Sequence, residues 1–287
     1  MNLTLDDIYE YLQEPHRYEN YIMACCEYHD DIKPSMLVTQ GGYKCKSCNA
    51  HGTLEKLYQR VSGRVVIRKK VPNPSAYLWV KWEEKFGSIQ NIAKIAHQNL
   101  INNPDLGCYL QQRKVDGLVK SCLLGYMDGY YTFPILNEFG EIKGITARVS
   151  PTMQLKRGKY TTTHDCPVKF YVPSWRTLLK NDELYLVYGI IDSLSLLSAG
   201  YAGFSSLTGQ SVNPEWLEQY RKTIYIIPDK GEESSALELQ AHLGWRGKTL
   251  FIDWPETTKD LNQIHQEYGL DMMSSLIEKS KEKYHYD

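Results

Sequence analysis

The sequence predicts a multidomain chain of α+β and α/β character in three parts. A metal-stapled β-ribbon comes first, then a basic mixed α/β region, then an α/β layer with a mostly parallel sheet. Three observations predict it. Two matched pairs of metal-type ligands flank a hairpin signal between residues 26 and 48. Positive charge concentrates in the middle, with 8 basic and 2 acidic side chains over residues 140–180. From residue 184 to 262, strand-like and helix-like segments alternate, the pattern of a parallel sheet with crossover helices.

Length and composition agree. At 287 residues the chain suits about two domains of ordinary size. It is 42% hydrophobic and 23% charged, which excludes a disordered chain. No apolar run approaches the ~20 residues of a membrane span. The acidic, amphipathic start MNLTLDDIYEYLQE is not a signal peptide, so a cytoplasmic location is expected, with no membrane partner. Seven cysteines over this length are not a secreted disulfide framework.

The net charge of -1 hides an asymmetry. Residues 1–60 carry 6 basic and 9 acidic side chains, residues 61–139 carry 10 and 6, and residues 181–287 carry 9 and 17. A basic centre beside an acidic end suits a protein that holds a polyanion in one region and cations in another. The same distribution also fits a solvated surface with uneven charge.

The elements follow in order. Residues 4–13 read as a helix with Thr4 as N-cap and Asp6 and Asp7 in the first turn. PSMLVTQ, a Gly-Gly turn and YKCKSC read as a hairpin, and GTLEKLYQRV as a helix packed on it. Residues 61–75, with Gly, two Pro, four basic residues and no acid, read as a linker. Residues 76–103 and 106–115 are helical in pattern, and 125–173 are strand-rich. LYLVYG, TIYIIPD and TLFID read as strands, with helices between them. The expected division is 1–60 ribbon, 61–75 linker, 76–181 basic region and 182–287 α/β layer with a C-terminal helix.

Cys26 and His29 form one knuckle, Cys45 and Cys48 another, each with two residues between the ligands. Two such knuckles joined by a hairpin close a tetrahedron, with no open position for water, so the site is structural zinc. A small ribbon buries too little surface to fold well alone, and metal binding contributes to its folding free energy. Cys25 breaks the spacing to His29, and His51 is a competing ligand or a template-facing residue. Cys108, Cys122 and Cys166 are isolated and read as core thiols.

CEYHDDIKPSMLV followed by GYKCKSCNAHG resembles the zinc ribbon of bacterial DnaG-type primases, with Pro34, Ser35, Tyr43, His51 and Gly52 at matching positions. In that family the ribbon helps choose the initiation site on single-stranded template DNA. ITARVS, KRGKYTTT and VKFYVP resemble the family's basic block. Arg148, Lys159 and Lys169 match it, Lys156 and Arg157 add charge, and Tyr160 and Tyr171 are candidates to stack bases or ribose.

LYLVYGIIDSLSLLSAG, TIYIIPDKGEESSALELQAHL and ETTKDLNQI resemble the three motifs of a Toprim domain, the metal-binding fold of these primases and of topoisomerases. The resemblance implies that Asp192, Asp229 and Asp260 are catalytic and hold magnesium or manganese at the carboxyl edge of the sheet, with Glu232 able to swing in. The chain departs from the pattern in two places. Tyr188 stands where the family has a glutamate, and Gly231 where it has an acid; Asn262 stands where some members carry one. Tyr188 is expected to take the glutamate's place, its hydroxyl donating to a neighbouring carboxylate or filling the metal space. Restoring both acids is expected to raise metal affinity.

Two functions remain open on these residues; a third, a Toprim nuclease, is one the zinc ribbon speaks against. One is a compact primase, similar in layout to those of tailed phages, making RNA primers from ribonucleoside triphosphates on single-stranded DNA. The other is a catalytically impaired homologue that binds single-stranded DNA and recruits or regulates a replicative helicase or second primase subunit. Either would act in the cytoplasm of a bacterial or phage-infected cell.

Overall fold

The computed structural model describes residues 3–31, 33–63, 74–153, 160–163, 166–282 and 284. The fold is mixed α/β and divides into two compact units, Met1–Asn73 and Pro74–Asp287.

In the first unit, α1 (Leu5–Tyr9) opens on a capping box: Thr4 Oγ1 accepts the Asp7 N–H, and the Asp7 carboxylate accepts the Thr4 N–H. The helix is shorter than its sequence pattern: after Tyr9 the chain passes into tight turns, with the Tyr11 N–H on Ile8 O and the Leu12 N–H on Tyr9 O. A five-stranded antiparallel meander follows: β1 (His16–Arg17), β2 (Tyr21–Ala24), β3 (Met36–Thr39), β4 (Gly42–Cys45) and β5 (His51–Gly52). Gly42, at φ 142°, could carry no side chain, since a Cβ there would lie 2.2 Å from Gly52 O. α2 (Leu54–Ser62) is capped by Thr53 and ended by Gly63. Strand alternation sends Ile22, Ala24, Met36, Val38 and Tyr43 against Ile8, Leu54 and Leu57 of the two helices.

In the second unit, α3 (Pro74–Phe86) and α4 (Ile89–Asn102) are separated at Gly87, and α5 (Cys108–Gln112) is short. A four-stranded antiparallel sheet comes next: β6 (Gly125–Met127), β7 (Tyr130–Leu136), β8 (Ile142–Val149) and β9 (Tyr160–Thr162). Trp79, Trp82, Ile92 and Ala96 pack on one of its faces, through Met127, Ile145 and Ala147.

The chain then builds a second sheet from β10 (Phe170–Tyr171), β11 (Glu183–Val187), β12 (Gly203–Ser206), β13 (Thr223–Ile226) and β14 (Gly247–Thr249), in the order β10-β12-β11-β13-β14. All pairings are parallel except β10 with β12. Its helices are α6 (Trp175–Lys180), α7 (Ile190–Ser198), α8 (Glu233–Leu243) and α9 (Leu261–Glu282), the last broken at Gly269. One face of the sheet (Leu184, Leu186, Ile224, Ile226) buries against α8, the other (Tyr185, Val187, Tyr225) against α9. The first turn of α7 packs Ile190, Ile191 and Leu194 against Tyr131 and Phe133 of β7, which joins the two sheets around one core. No helix among the described residues is long and apolar enough to cross a membrane.

Candidate metal centres and nucleic-acid face

In the ribbon, β2 ends at the first knuckle and β4 runs into the second, so the hairpin carries both pairs to one point. The ligand atoms of Cys26, His29, Cys45 and Cys48 all lie within 4.8 Å of one another. The Cys26 and Cys48 sulfurs are 3.7 Å apart, close to the ~3.8 Å edge of a tetrahedron with ~2.3 Å zinc–sulfur bonds. His29 Nδ1 is buried with no hydrogen-bond partner, while Nε2 faces Asp31 at 3.9 Å. An orphaned buried nitrogen aimed among three sulfurs fits a metal ligand, and Asp31 orients the ring.

Cys45 is prepared for the thiolate form. Burial opposes its ionisation, but the N–H groups of Cys48 and Ser47 and the Ser35 hydroxyl bring its pKa down to about 6. The competing residues stay out. Cys25 Sγ points to Glu14 Oε2 at 3.8 Å, and the exposed His51 turns Nδ1 to Asn49 O. Of the remaining cysteines, Cys122 is buried but Cys108 is exposed, contrary to a core assignment.

The carboxylates of the second unit sit at the carboxyl side of the parallel sheet, on the loops after β11, β13 and β14. Asp192 belongs to the first turn of α7 rather than to a strand end, and it is buried. Its Oδ1 accepts the Asn262 N–H at 2.8 Å, and its Oδ2 lies so close to Gly189 that a Cβ there would sit 2.1 Å away. Asp229 follows β13, and Asp260 caps α9 by accepting the Gln263 N–H at 2.8 Å. A backbone bond from Lys230 N–H to Lys259 O, 2.8 Å, ties these two loops together.

The electrostatics match a gathering of like charges. Burial, then Asp260 and Asp229, hold the Asp192 carboxyl well above its ordinary pKa. Burial, then Asp260 and Glu232, push Asp229 up to about 7. The three aspartates are nevertheless spaced more widely than the ribbon ligands. Among the described residues, only the ribbon set brings three or more ligand atoms within 4.8 Å of one another.

A divalent cation fits part of this centre. Asp229, Asp260 and Glu232 are hard oxygen donors with free lone pairs, the chemistry magnesium takes. Asn262 does not fit. It is 1% exposed, its Nδ2 donates to Arg113 O and Ser195 Oγ, and its Oδ1 accepts from Arg113 Nη1 and Gln266 Nε2. Tyr188 does not donate to a carboxylate, as the sequence led us to expect; its hydroxyl meets Ser235 Oγ at 3.2 Å. The alternation of β11, continued one residue on, places the ring in the core cluster beside α8, where burial and then the charges of Glu232 and Asp229 raise its pKa.

On the basic region, Arg148 lies in β8, 8% exposed, with its guanidinium over the Tyr109 ring at 4.0 Å and over Tyr160 at 5.7 Å. Tyr160 is 43% exposed, with Arg148 over its ring. Tyr171 is not free to stack on a ligand: it is 1% exposed inside the core, because β10 is covered on that side by β7 and α7. Lys169 is exposed, its Nζ 3.5 Å from Cys166 O and near the Trp216 ring. Lys156, Arg157 and Lys159 lie outside the described residues.

Sequence reading passed over Tyr109 and Arg113. Arg113 closes α5 and makes two hydrogen bonds with Asn262, 149 positions away. Their spacing of four on a helical pattern puts both on one face, which was the available signal.

No protein-family model matches the chain, and no curated protein matches it. Solved structures do. The zinc-binding and RNA polymerase domains of the Aquifex aeolicus primase match with a TM-score of 0.55 at 18% identity, over 96% of this chain and 82% of that one. A DNA primase domain from Pseudomonas aeruginosa matches with a TM-score of 0.55 at 18% identity, over 67% of this chain and 78% of that one. The DnaG primase catalytic domain bound to single-stranded DNA matches with a TM-score of 0.52 at 16% identity, over 67% and 79%. The fold is therefore that of DnaG primase zinc-binding and RNA polymerase domains.

Proposed function

We propose that this chain is a DNA primase-like protein that engages single-stranded DNA and makes short RNA primers on it. One observation carries the reading: a single match spans 96% of the chain, to a structure holding both zinc-binding and RNA polymerase domains. The proposed division remains 1–60 ribbon, 61–75 linker, 76–181 basic region and 182–287 Toprim-like layer, with α2 and α3 reaching into the two ends of the linker stretch and 64–73 outside the described residues. The ribbon, folded around zinc on Cys26, His29, Cys45 and Cys48, samples the template. Arg148, Lys156, Arg157, Lys159 and Lys169 bind phosphates of template, hybrid or ribonucleoside triphosphate. Asp229 and Asp260, with Glu232, would hold one magnesium or manganese ion, which supplies charge neutralisation at the triphosphate. Asp192, held by the Asn262 N–H, orients the α7 and α9 N-termini around that position.

A second reading is a homologue with impaired chemistry that binds single-stranded DNA and serves a replicative helicase or a second primase subunit. Tyr188 bonded to Ser235 and the saturated Asn262 favour it. Primer synthesis from labelled ribonucleotides, template and magnesium or manganese decides between them. Labelled oligonucleotides lost in Asp229→Ala support the first reading; DNA binding without any product supports the second.

A further inference from the structure

The acidic centre has two unlike sides. On one, Asp229, Asp260 and Glu232 keep lone pairs free. On the other, Asn262 is saturated and Asp192 Oδ1 is already engaged. An amide side chain has two N–H donors and two lone pairs on its oxygen, four hydrogen bonds at most. Asn262 makes all four at 2.7–3.0 Å: to Arg113 O, to Ser195 Oγ, from Arg113 Nη1 and from Gln266 Nε2. A metal ion here would have to break one of them in a site that is 1% exposed. Asp192 Oδ1 is held by the Asn262 N–H at 2.8 Å, and its Oδ2 is pressed against Gly189. Among the described residues, the only cationic side chain that donates to this pair is Arg113, fixed at the end of α5 by its own carbonyl as well as its guanidinium, and near the Tyr109 ring at 5.4 Å.

We infer that the Arg113–Asn262 clasp closes one side of the centre to divalent metal and that Arg113 provides the fixed positive charge there, leaving a single ion site on the Asp229–Asp260 side. This rests on the primase-like reading only for the presence of a cation, not for catalysis. A guanidinium cannot lose its charge at neutral pH, so this half of the centre keeps its cation without metal. It also repels a second ion bound nearby.

Manganese binding to the full zinc-loaded chain, followed by the electron paramagnetic resonance signal of free Mn2+ and without DNA or nucleotide, tests this apart from any activity. The wild type should bind one equivalent beyond zinc. Asp229→Asn and Asp260→Asn should each weaken it by roughly tenfold or more. Arg113→Gln removes the repelling charge and should tighten it severalfold, and Arg113→Gln with Asn262→Asp should add a second equivalent. Where the double variant melts early, the single Arg113→Gln and Arg113→Lys pair decides, since only the first changes charge. Weaker or unchanged binding in Arg113→Gln, or a wild type that binds two equivalents, would overturn the clasp. A failed primer assay with these results intact would sink the primase reading alone.

Discussion

The guanidinium of Arg148 lies 4.0 Å above the centroid of the Tyr109 ring, and Arg113 approaches the same ring at 5.4 Å. A tyrosine from a five-residue helix thus lies within cation–π reach of one cation from the antiparallel sheet and of another tied to α9. Burial raises the Tyr109 pKa, while Arg148 and Arg113 pull it back.

This stack makes Arg148 a positioned rather than a mobile cation. Arg148→Ala should weaken single-stranded DNA binding and reduce the slope of log affinity against log salt by about one, the loss of one phosphate contact. Arg148→Lys should keep the slope but bind more weakly, because an ammonium cannot lie flat on the ring. Fluorescence anisotropy across a salt series reads both; an unchanged slope in the alanine variant would remove Arg148 from the DNA face.

Cys45→Ser should release zinc and unfold the ribbon while residues 74–287 keep their own melting transition. The four ligands hold strands whose core is a dozen buried side chains, too few to stand alone. Elemental analysis showing a full equivalent of zinc in the variant would refute the ligand set.

Asp229 gives the metal-free protein a pH dependence of known sign. Its folded pKa is about 7, its ordinary value 3.8. Between those values the folded form holds a proton that the unfolded form has lost, so stability falls as pH rises through that window. Melting temperature without added divalent ions should drop from pH 5 to pH 8, and magnesium should restore it at pH 8. Magnesium affinity itself should climb through pH 7, because the cation competes with that proton. A melting temperature that rises over the same range would contradict the carboxylate cluster.

Tyr188→Phe should cost about 0.5–1.5 kcal/mol by removing the hydrogen bond to Ser235, and leave DNA affinity unchanged. Tyr188→Glu should cost more, since the position is 8% exposed in an apolar cluster. Gly231→Asp adds strain at φ 93°. Restoring both acids should therefore lower the melting temperature, whatever it does for metal affinity. Calorimetric melts of the three single variants and the double variant measure this, and a stable double variant would show that the core tolerates the charge.

The sequence by itself determined what is local. Knuckle spacing selected Cys26, His29, Cys45 and Cys48 over Cys25 and His51, because chelation by short loops depends on residues three apart. Alternation and turn residues marked β3, β4 and the β11-to-β13 crossover, since strand and helix periods are written along the chain. The tertiary structure decided what is distant. It put Tyr171 in the core and Tyr160 on the surface, though both lie within two residues of a lysine in strand-like text. It turned Tyr188 toward Ser235, and it brought Arg113 to Asn262 across 149 positions. Which acids face a cation, and which are already engaged, depends on partners that only packing brings within hydrogen-bond distance; no spacing along the chain encodes them.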